Sequence, residues 1–313
     1  MSAETEGVIK APLPIVDGVS PSSQWLPAGP WETILDFLTE RFPRVATATW
    51  VSRMARGELV DETGLRLNSG SAYRLGACIF YYRELESERI VPFDEQVLYQ
   101  DEHILVVDKP HFLPVIPAGR FLHETLLVRL KKKWKLTQLV PIHRLDRETA
   151  GVVLFSLNAA TRGHYTSLFR RRKVEKVYEA LAPNLPALTF PVTRRSRIVA
   201  GEPFFRMKEV EGEPNSETYI DVVANAAAMG DVTLYRLHSI TGRKHQLRVH
   251  LSALRIPVVN DRLYPDVSYA KGLDTEDDFS NPLKLLAKSI SFRDPLNGQE
   301  HYFESRRKLS LHG

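Results

Sequence analysis

The 313-residue chain has a single cysteine, Cys78, so no intrachain disulfide can form and no cysteine-based zinc site can be built. Cys78 lies in the apolar run "ACIFYY", the setting of a small core residue rather than a nucleophile. No apolar stretch approaches the roughly 20 residues that a membrane-spanning helix needs, so no membrane partner is expected. Residues 1–30 lack a basic region followed by an apolar one, which argues against a secretory signal and for a cytoplasmic protein. A Gly-rich phosphate loop, a His-Glu-x-x-His pair, a nucleophile elbow and an internal repeat are all missing. Nucleotide-binding P-loop enzymes, zinc peptidases and α/β-hydrolases lose their support with them. A large excess of one charge is missing too: 42 Lys and Arg face 38 Asp and Glu, for a formal charge of +4. That balance permits a polyanionic partner without requiring one.

What is present is unevenly placed. A hydrophobic fraction of 43% with 26% charged residues suits a globular protein of one large or two moderate domains. Basic residues cluster in "RLKKKWK" (Arg129 to Lys135), "RRRKVEK" (Arg170 to Lys176) and "TGRKHQLRVH" (Thr241 to His250), while acid gathers in "DTEDDF" (Asp274 to Phe279). One basic run is an ordinary solvated face; three in one half of the chain point to a polyanion. Residues 1–30, rich in Pro, Ser and Gly, read as an extended arm. Residues 31–90 read as a small module of two helices, one carrying Ile34, Leu35 and Leu38, the other spanning "TATWVSRMARG" and stopped by Gly57, followed by short strands. Arg53 and Arg56 make it compatible with an accessory RNA-binding domain; a packing subdomain fits the same residues.

Residues 91–313 form the main domain. "VLYQDEHILVVDKP" gives two strands around an Asp-Glu turn, "HETLLVRLKKKW" a helix, and Asn158 can cap a helix through "AATRGHYTSLFRRR". "KVEKVYEALAP", "DVTLYRLHSI" and "LKLLAKSISFRDP" read as strands, and "KHQLRVHLSAL" as a helix seated on Leu247, Leu251 and Leu254. Strands and helices mix without regular alternation, which predicts an α+β fold rather than a doubly wound sheet.

Asp146, in "HRLDRETAG", sits on a loop between strands. Flanking Arg144 and Arg147 should keep it ionised, fit to act as nucleophile or general base; an aspartate that merely caps the turn is the alternative. His143 with Asp146 could also suggest a hydrolase pair or metal ligands, but no His-Glu-x-x-His spacing, nucleophile elbow or carboxylate cluster accompanies them. In "KVEKVYEALAP", Lys176, Tyr178 and Ala180 share one strand face, so an aromatic ring stands beside a cation just after Arg170, Arg171 and Arg172. Such a tyrosine could stack on a base, or simply fill the sheet. In "TGRKHQLRVHLSAL", Arg243 and Lys244 precede a helix whose start could hold a phosphate. His245, Arg248 and Ser252 lie away from the leucine seam, so Arg248 is either aimed at a site or solvated.

Taken together and in this order, the three motifs resemble the RluA-type family of RNA pseudouridine synthases, over roughly Phe93 to Phe303. Its pattern is His-Arg-Leu-Asp followed by Thr-Ser/Ala-Gly, then Lys-x-Tyr-x-Ala, then Thr-Gly-Arg-x-His-Gln-Ile/Leu-Arg-x-His. The resemblance implies a mixed, largely antiparallel sheet with flanking helices and a central RNA cleft. It implies isomerisation of uridine in structured RNA, ribosomal or transfer, by a monomer without cofactor or metal. Asp146 would be the essential group, attacking sugar or base or taking a sugar proton; Tyr178 would pack on the uracil; Arg248 would pair with the carboxylate; Arg144 would help fill the space left by a flipped base. His143, Arg147, Lys176, Arg243, Lys244, His245 and Arg170 to Arg172 are the implied RNA contacts. Upstream, "ILDFLTERFP…VSRMARGELV" is similar to a degenerate form of the module named after ribosomal protein S-four.

Departures lie outside the three motifs and bear on substrate choice and loop geometry. A common Gly-Asp turn is here Asn260-Asp261, Leu-His-Ala is Leu285-Leu286-Ala287, and His-Pro is Asp294-Pro295. In the upstream module, Gly-Asp is Gly76-Ala77 and Asn-Gly is Thr63-Gly64.

Overall fold

A computed structural model describes residues 11–85, 87–224, 231–266 and 279–310. Residues 1–10 of the proposed arm and Asp274 to Asp278 of the acidic run lie outside the described residues. The chain divides into two compact units, one of residues 1–88 with 119–123, the other of residues 89–118 with 124–313.

In the first unit, β1 (Ser22–Trp25), β2 (Leu59–Asp61) and β3 (Cys78–Tyr81) form an antiparallel sheet in the order β1-β3-β2. Within the expected arm, Ser22 to Trp25 satisfies its backbone groups on β3, which a Pro-, Ser- and Gly-rich composition does not forbid at a sheet edge. Helix α1 (Ile34–Arg41) starts with a capping box between Thr33 and Asp36, and α2 (Thr47–Ala55) follows. Ile34, Phe37, Leu38, Trp50, Leu59 and Ile79 make the core. Arg53 and Arg56 are engaged within the unit: Arg53 pairs with Glu84, and Arg56 with Glu58 and Glu84.

The second unit is built on one large sheet. Its strands are β4 (Gln96–Gln100), β5 (Ile104–Lys109), β6 (Val140–Pro141), β7 (Ala150–Ser156), β8 (Val174–Pro183), β9 (Val192–Ala200), β10 (Met207–Val210), β11 (Ser216–Ala224), β12 (Val232–Ser239), β13 (Leu285–Arg293) and β14 (Glu300–Glu304). Their order is β10-β9-β11-β12-β8-β13-β7-β5-β4, with β14 on β13 and β6 on β7. Every pairing is antiparallel except β13 with β7. Helices α3 (Leu126–Trp134), α4 (Arg162–Arg170) and α5 (Gln246–Ala253) complete it, so the fold is α+β. β5 and β7 are buried at every position, as expected of short, nearly continuous apolar strands inside a sheet covered on both faces. On α5, Leu247 and Leu251 join a core with Ala180, Leu237, Ile256 and Leu285.

Two local expectations change. Helix α4 starts at Arg162 with Thr161 in the capping position, because Asn158 uses its Oδ1 earlier, accepting from the Ala160 amide in a turn. The run Arg129 to Lys135 is partly spent inside the unit: Arg129 pairs with Glu124 and Glu95, Lys133 lies 3.8 Å from Glu95, and Lys131 is buried.

Gly151 sits where β7 meets β13, paired with Ala287. Its φ is +114°, and a Cβ there would lie 2.2 Å from the Ala287 carbonyl oxygen. Both facts demand glycine, and they fix the end of the loop that carries Asp146. Gly151→Ala should therefore cost about 3 kcal/mol, lowering the melting temperature by roughly 6–12 °C, measured by thermal unfolding.

Candidate active site

The loop between β6 and β7 is tied down at both ends and in the middle. The Thr149 amide donates to the Asp146 carbonyl at 3.2 Å, closing a turn around Arg147 and Glu148. Lys109, wholly buried at the end of β5, donates from Nζ to the carbonyls of Pro110, Leu113 and Arg147 at 2.9, 2.7 and 3.0 Å. His111 Nδ1 donates to the Glu148 carbonyl at 2.6 Å. Burial pushes the Lys109 ammonium down to about 7, against the pull of Glu148 and Asp146. Three backbone carbonyls thus share one ammonium, which joins the loop to the turn after β5.

Held this way, the Asp146 side chain is 27% exposed. Its Oδ2 lies 3.4 Å from Arg248 Nη1 and 3.8 Å from His245 Nε2. The cation beside Asp146 is therefore Arg248, not Arg144 or Arg147 as sequence proximity suggests. A tight turn sends consecutive side chains apart: Arg147 Nε donates to Glu148 at 2.9 Å, and the Arg144 side chain is exposed, with no ion pair or hydrogen bond among the described residues. Burial works against the Glu148 charge, but Arg147 and Arg248 outweigh it and hold the carboxyl at about 2.

Arg248 is only 2% exposed, which rules out a solvated surface residue. Nε and Nη2 donate to Asp261 Oδ2 and Oδ1, each at 2.7 Å. Burial opposes its charge, yet Asp261 above all, then Asp146 and Glu148, keep its pKa above the ordinary arginine value. The Arg248 guanidinium also lies over the Tyr264 ring, 5.4 Å from its centroid, and Tyr264 Oη is 2.9 Å from His245 Nδ1. Burial, above the opposing charge of Asp146, lowers the His245 pKa.

The rest of "TGRKHQLRVH" explains why α5 can carry a buried arginine. His245, at the N-cap, has a left-handed φ of 56° and no side-chain cap bond. Gln246 instead ties the helix start to its surroundings: Oε1 accepts from the Arg243 amide and the Thr241 hydroxyl, and Nε2 donates to the Glu217 carbonyl and Thr218 hydroxyl. His250 is fully buried, its ring nitrogens 2.9 Å from Thr218 Oγ1 and 3.0 and 3.1 Å from the hydroxyls of Ser216 and Ser196. Both side chains lock the helix to β11. Arg243 and Lys244 precede the helix, exposed; Arg243 donates to the Asn215 carbonyl.

Tyr178 and Lys176 reach the same side of β8. Burial first, then the charge of Asp146, raises the Tyr178 phenol, so the ring stands near that carboxylate. Lys176 Nζ is 3.5 Å from the Thr241 carbonyl, and burial, with Arg172, lowers it to about 8. His143 turns inward: Nε2 accepts from the Leu154 amide at 3.1 Å and the ring stacks on Phe169. Arg170, Arg171 and Arg172, at the end of α4, are exposed and lack carboxylate partners among the described residues. Sequence reading missed Lys109, Asp261 and Tyr264. The one available signal was charge inside apolar runs, as in "ILVVDKP" and "IPVVNDRLYP".

No group of three or more His, Cys, Asp or Glu placed to hold a metal occurs among the described residues. Nor is any helix among them long and apolar enough to cross a membrane.

Burial lowers three histidines, His111 to about 4, His143 to about 3 and His250 to about 4. In the unfolded chain each protonates near about 6.5. The unfolded state thus binds more protons between these values, so stability is complete above about pH 6.5 and falls as pH drops toward 4. Thermal midpoints measured from pH 7 to 4.5 should decline steadily; a flat profile would contradict neutral buried imidazoles.

A family model described as RNA pseudouridylate synthase matches residues 103–253, which include the Asp146 loop, β8 and all of α5. Among relatives, the chain is 31% identical over 224 residues to the dual-specificity RNA pseudouridine synthase RluA of Vibrio vulnificus, covering 67% of this chain and 81% of that protein. It is 30% identical over 223 residues to tRNA pseudouridine synthase C of Vibrio parahaemolyticus, covering 67% and 89%. The solved structure of human RNA Pseudouridylate Synthase Domain Containing 1 superposes with a TM-score of 0.55 at 26% identity, over 68% of this chain and 84% of that one. By sequence and by fold, the chain belongs to the RNA pseudouridylate synthase family.

Proposed function

We propose that this chain converts uridine in structured RNA, of the transfer or ribosomal class, to pseudouridine, with Asp146 as the catalytic group. The observation that carries this reading is the partly exposed Asp146 carboxylate, held beside buried Arg248 and His245 on a loop that Lys109 and Gly151 fix in place. The reaction breaks the bond from C1′ to ring N1 and forms one from C1′ to C5. The C5 proton is lost and N1 gains one, so atoms and electrons balance without an oxidant, reductant or metal. Asp146 acts as nucleophile toward sugar or base, or takes a sugar proton; each role needs an ionised, oriented carboxylate. Tyr178 supplies the face on which uracil packs. Arg144, whose side chain is exposed on the same loop, occupies the space of the flipped base in this reading.

Arg170, Arg171 and Arg172 then contact RNA phosphates, with Lys176, Arg243 and Lys244 nearer the site. We assign His143, Arg147 and His245 to shaping the site, since each is engaged with protein groups. The enzyme is read as a cytoplasmic monomer.

Asp146→Asn should abolish tritium release from RNA labelled at uridine C5 while leaving RNA affinity within about twofold, because an amide is neither nucleophile nor base. Turnover near that of the native protein would overturn the assignment. Replacing Arg170, Arg171 and Arg172 together by alanine should weaken RNA binding and reduce the slope of log affinity against log salt by about 2 to 3, one counterion for each lost phosphate contact. An unchanged slope in a filter-binding titration would return this cluster to a solvated face.

A further inference from the structure

We propose that Asp261 is a positioning residue for the reaction: it fixes the Arg248 guanidinium so that a single N–H group faces Asp146. The inference rests on the reading of Asp146 given above. Its support is geometric. The Asp261 side chain is 0% exposed and accepts four hydrogen bonds, two from Arg248 at 2.7 Å and two from the amides of Leu263 and Tyr264 at 2.9 and 3.1 Å. The carboxylate is therefore fixed by backbone before it meets the arginine. Arg248 presents one edge, Nε and Nη2, to Asp261, and two parallel bonds on one edge stop rotation of the planar group. Only Nη1 is left to point at Asp146, 3.4 Å away.

The same turn does more than hold a carboxylate. Asn260, at φ +62°, starts it in the left-handed region where an Asn is tolerated, and Asn260 Nδ2 donates to the Pro282 carbonyl at 3.0 Å. Tyr264 ends it, lying against the Arg248 guanidinium and touching His245 Nδ1. Both groups nearest Asp146 are thus oriented from one short segment, residues 260–264.

Charge gives the arrangement its purpose. Asp146 loses its negative charge whenever it forms a covalent bond or accepts a proton. A buried arginine paired to Asp146 alone would then be an uncompensated cation in the protein interior. With Asp261 as its permanent partner, Arg248 stays compensated through every state of Asp146 and need not move.

The test uses the full-length chain, with single-turnover kinetics under excess enzyme. Asp261→Asn puts an amide donor against the arginine donors and breaks one of the two bonds. The maximal rate should fall by about 30-fold or more, since misplacing a reacting geometry by an ångström costs up to about 100-fold. RNA half-saturation should stay within about threefold, because Asp261 is buried away from the phosphate contacts. In an Arg248→Gln background the same substitution should cost less than about threefold, the non-additivity expected of a residue that acts through another. A rate within threefold of the native protein, or an equal loss in both backgrounds, would overturn the proposal.

If Asp261→Asn does not fold, a second measurement decides. Nitrogen–proton spectra of the Arg248 side chain should show separately resolved Nη resonances both in the native protein and in Asp146→Asn, because Asp261 rather than Asp146 stops rotation. Averaged resonances in Asp146→Asn would overturn the proposal. Full tritium release by Asp146→Asn is a separate result, which would overturn the reading of Asp146 and not the pinning of Arg248.

Discussion

A guanidinium with 2% exposure needs a negative partner that never leaves, and much of the second unit is arranged to supply one. Asp261 is that partner, and its own carboxylate is fixed by two backbone amides. Arg248 can then extend toward Asp146 without depending on it alone for a counter-charge. The helix carrying Arg248 must also be immobile, and Gln246 and His250 secure it to β11 through neutral hydrogen bonds that survive burial. One buried cation therefore accounts for most of the polar residues in the last motif and for the turn after it.

The loop bearing Asp146 follows the same logic with different groups. Its backbone carbonyls, rather than its side chains, are captured by Lys109 and His111, and its exit is fixed by the close approach of Gly151 to Ala287. Backbone capture leaves the carboxylate outside the turn's own hydrogen bonds, 27% exposed and beside Arg248. A loop that spent its acid on capping its own turn would have no such group to offer.

The basic clusters divide by what surrounds them. Arg129 and Lys133 face Glu95 and Glu124, and Arg53 and Arg56 face Glu58 and Glu84, so their charges are largely compensated within each unit. Arg170 to Arg172 follow a helix end with no carboxylate in reach among the described residues. A surface that binds a polyanion needs cations of this second kind, since a paired cation must first give up its partner.

The sequence alone was enough to place Asp146 on a loop between strands, Tyr178 and Lys176 on one strand face, Arg248 on a helix, and the whole in an α+β fold. Each of those follows from local rules: turn residues, alternation with period two, and leucines spaced for one buried face. Local rules failed where the answer depended on distant chain. They gave Asp146 the wrong arginines, because neighbours in sequence diverge at a tight turn while Arg248 arrives from 102 residues away. The family resemblance made His143 and His245 RNA contacts, whereas Leu154 and Tyr264 engage them here. Local rules gave Lys109 and Asp261 no role, since a charge in an apolar run shows only that something must compensate it. Which group does so is decided by packing, when β5, the loop and the turn at residues 260–264 converge and water is excluded from the charges they carry.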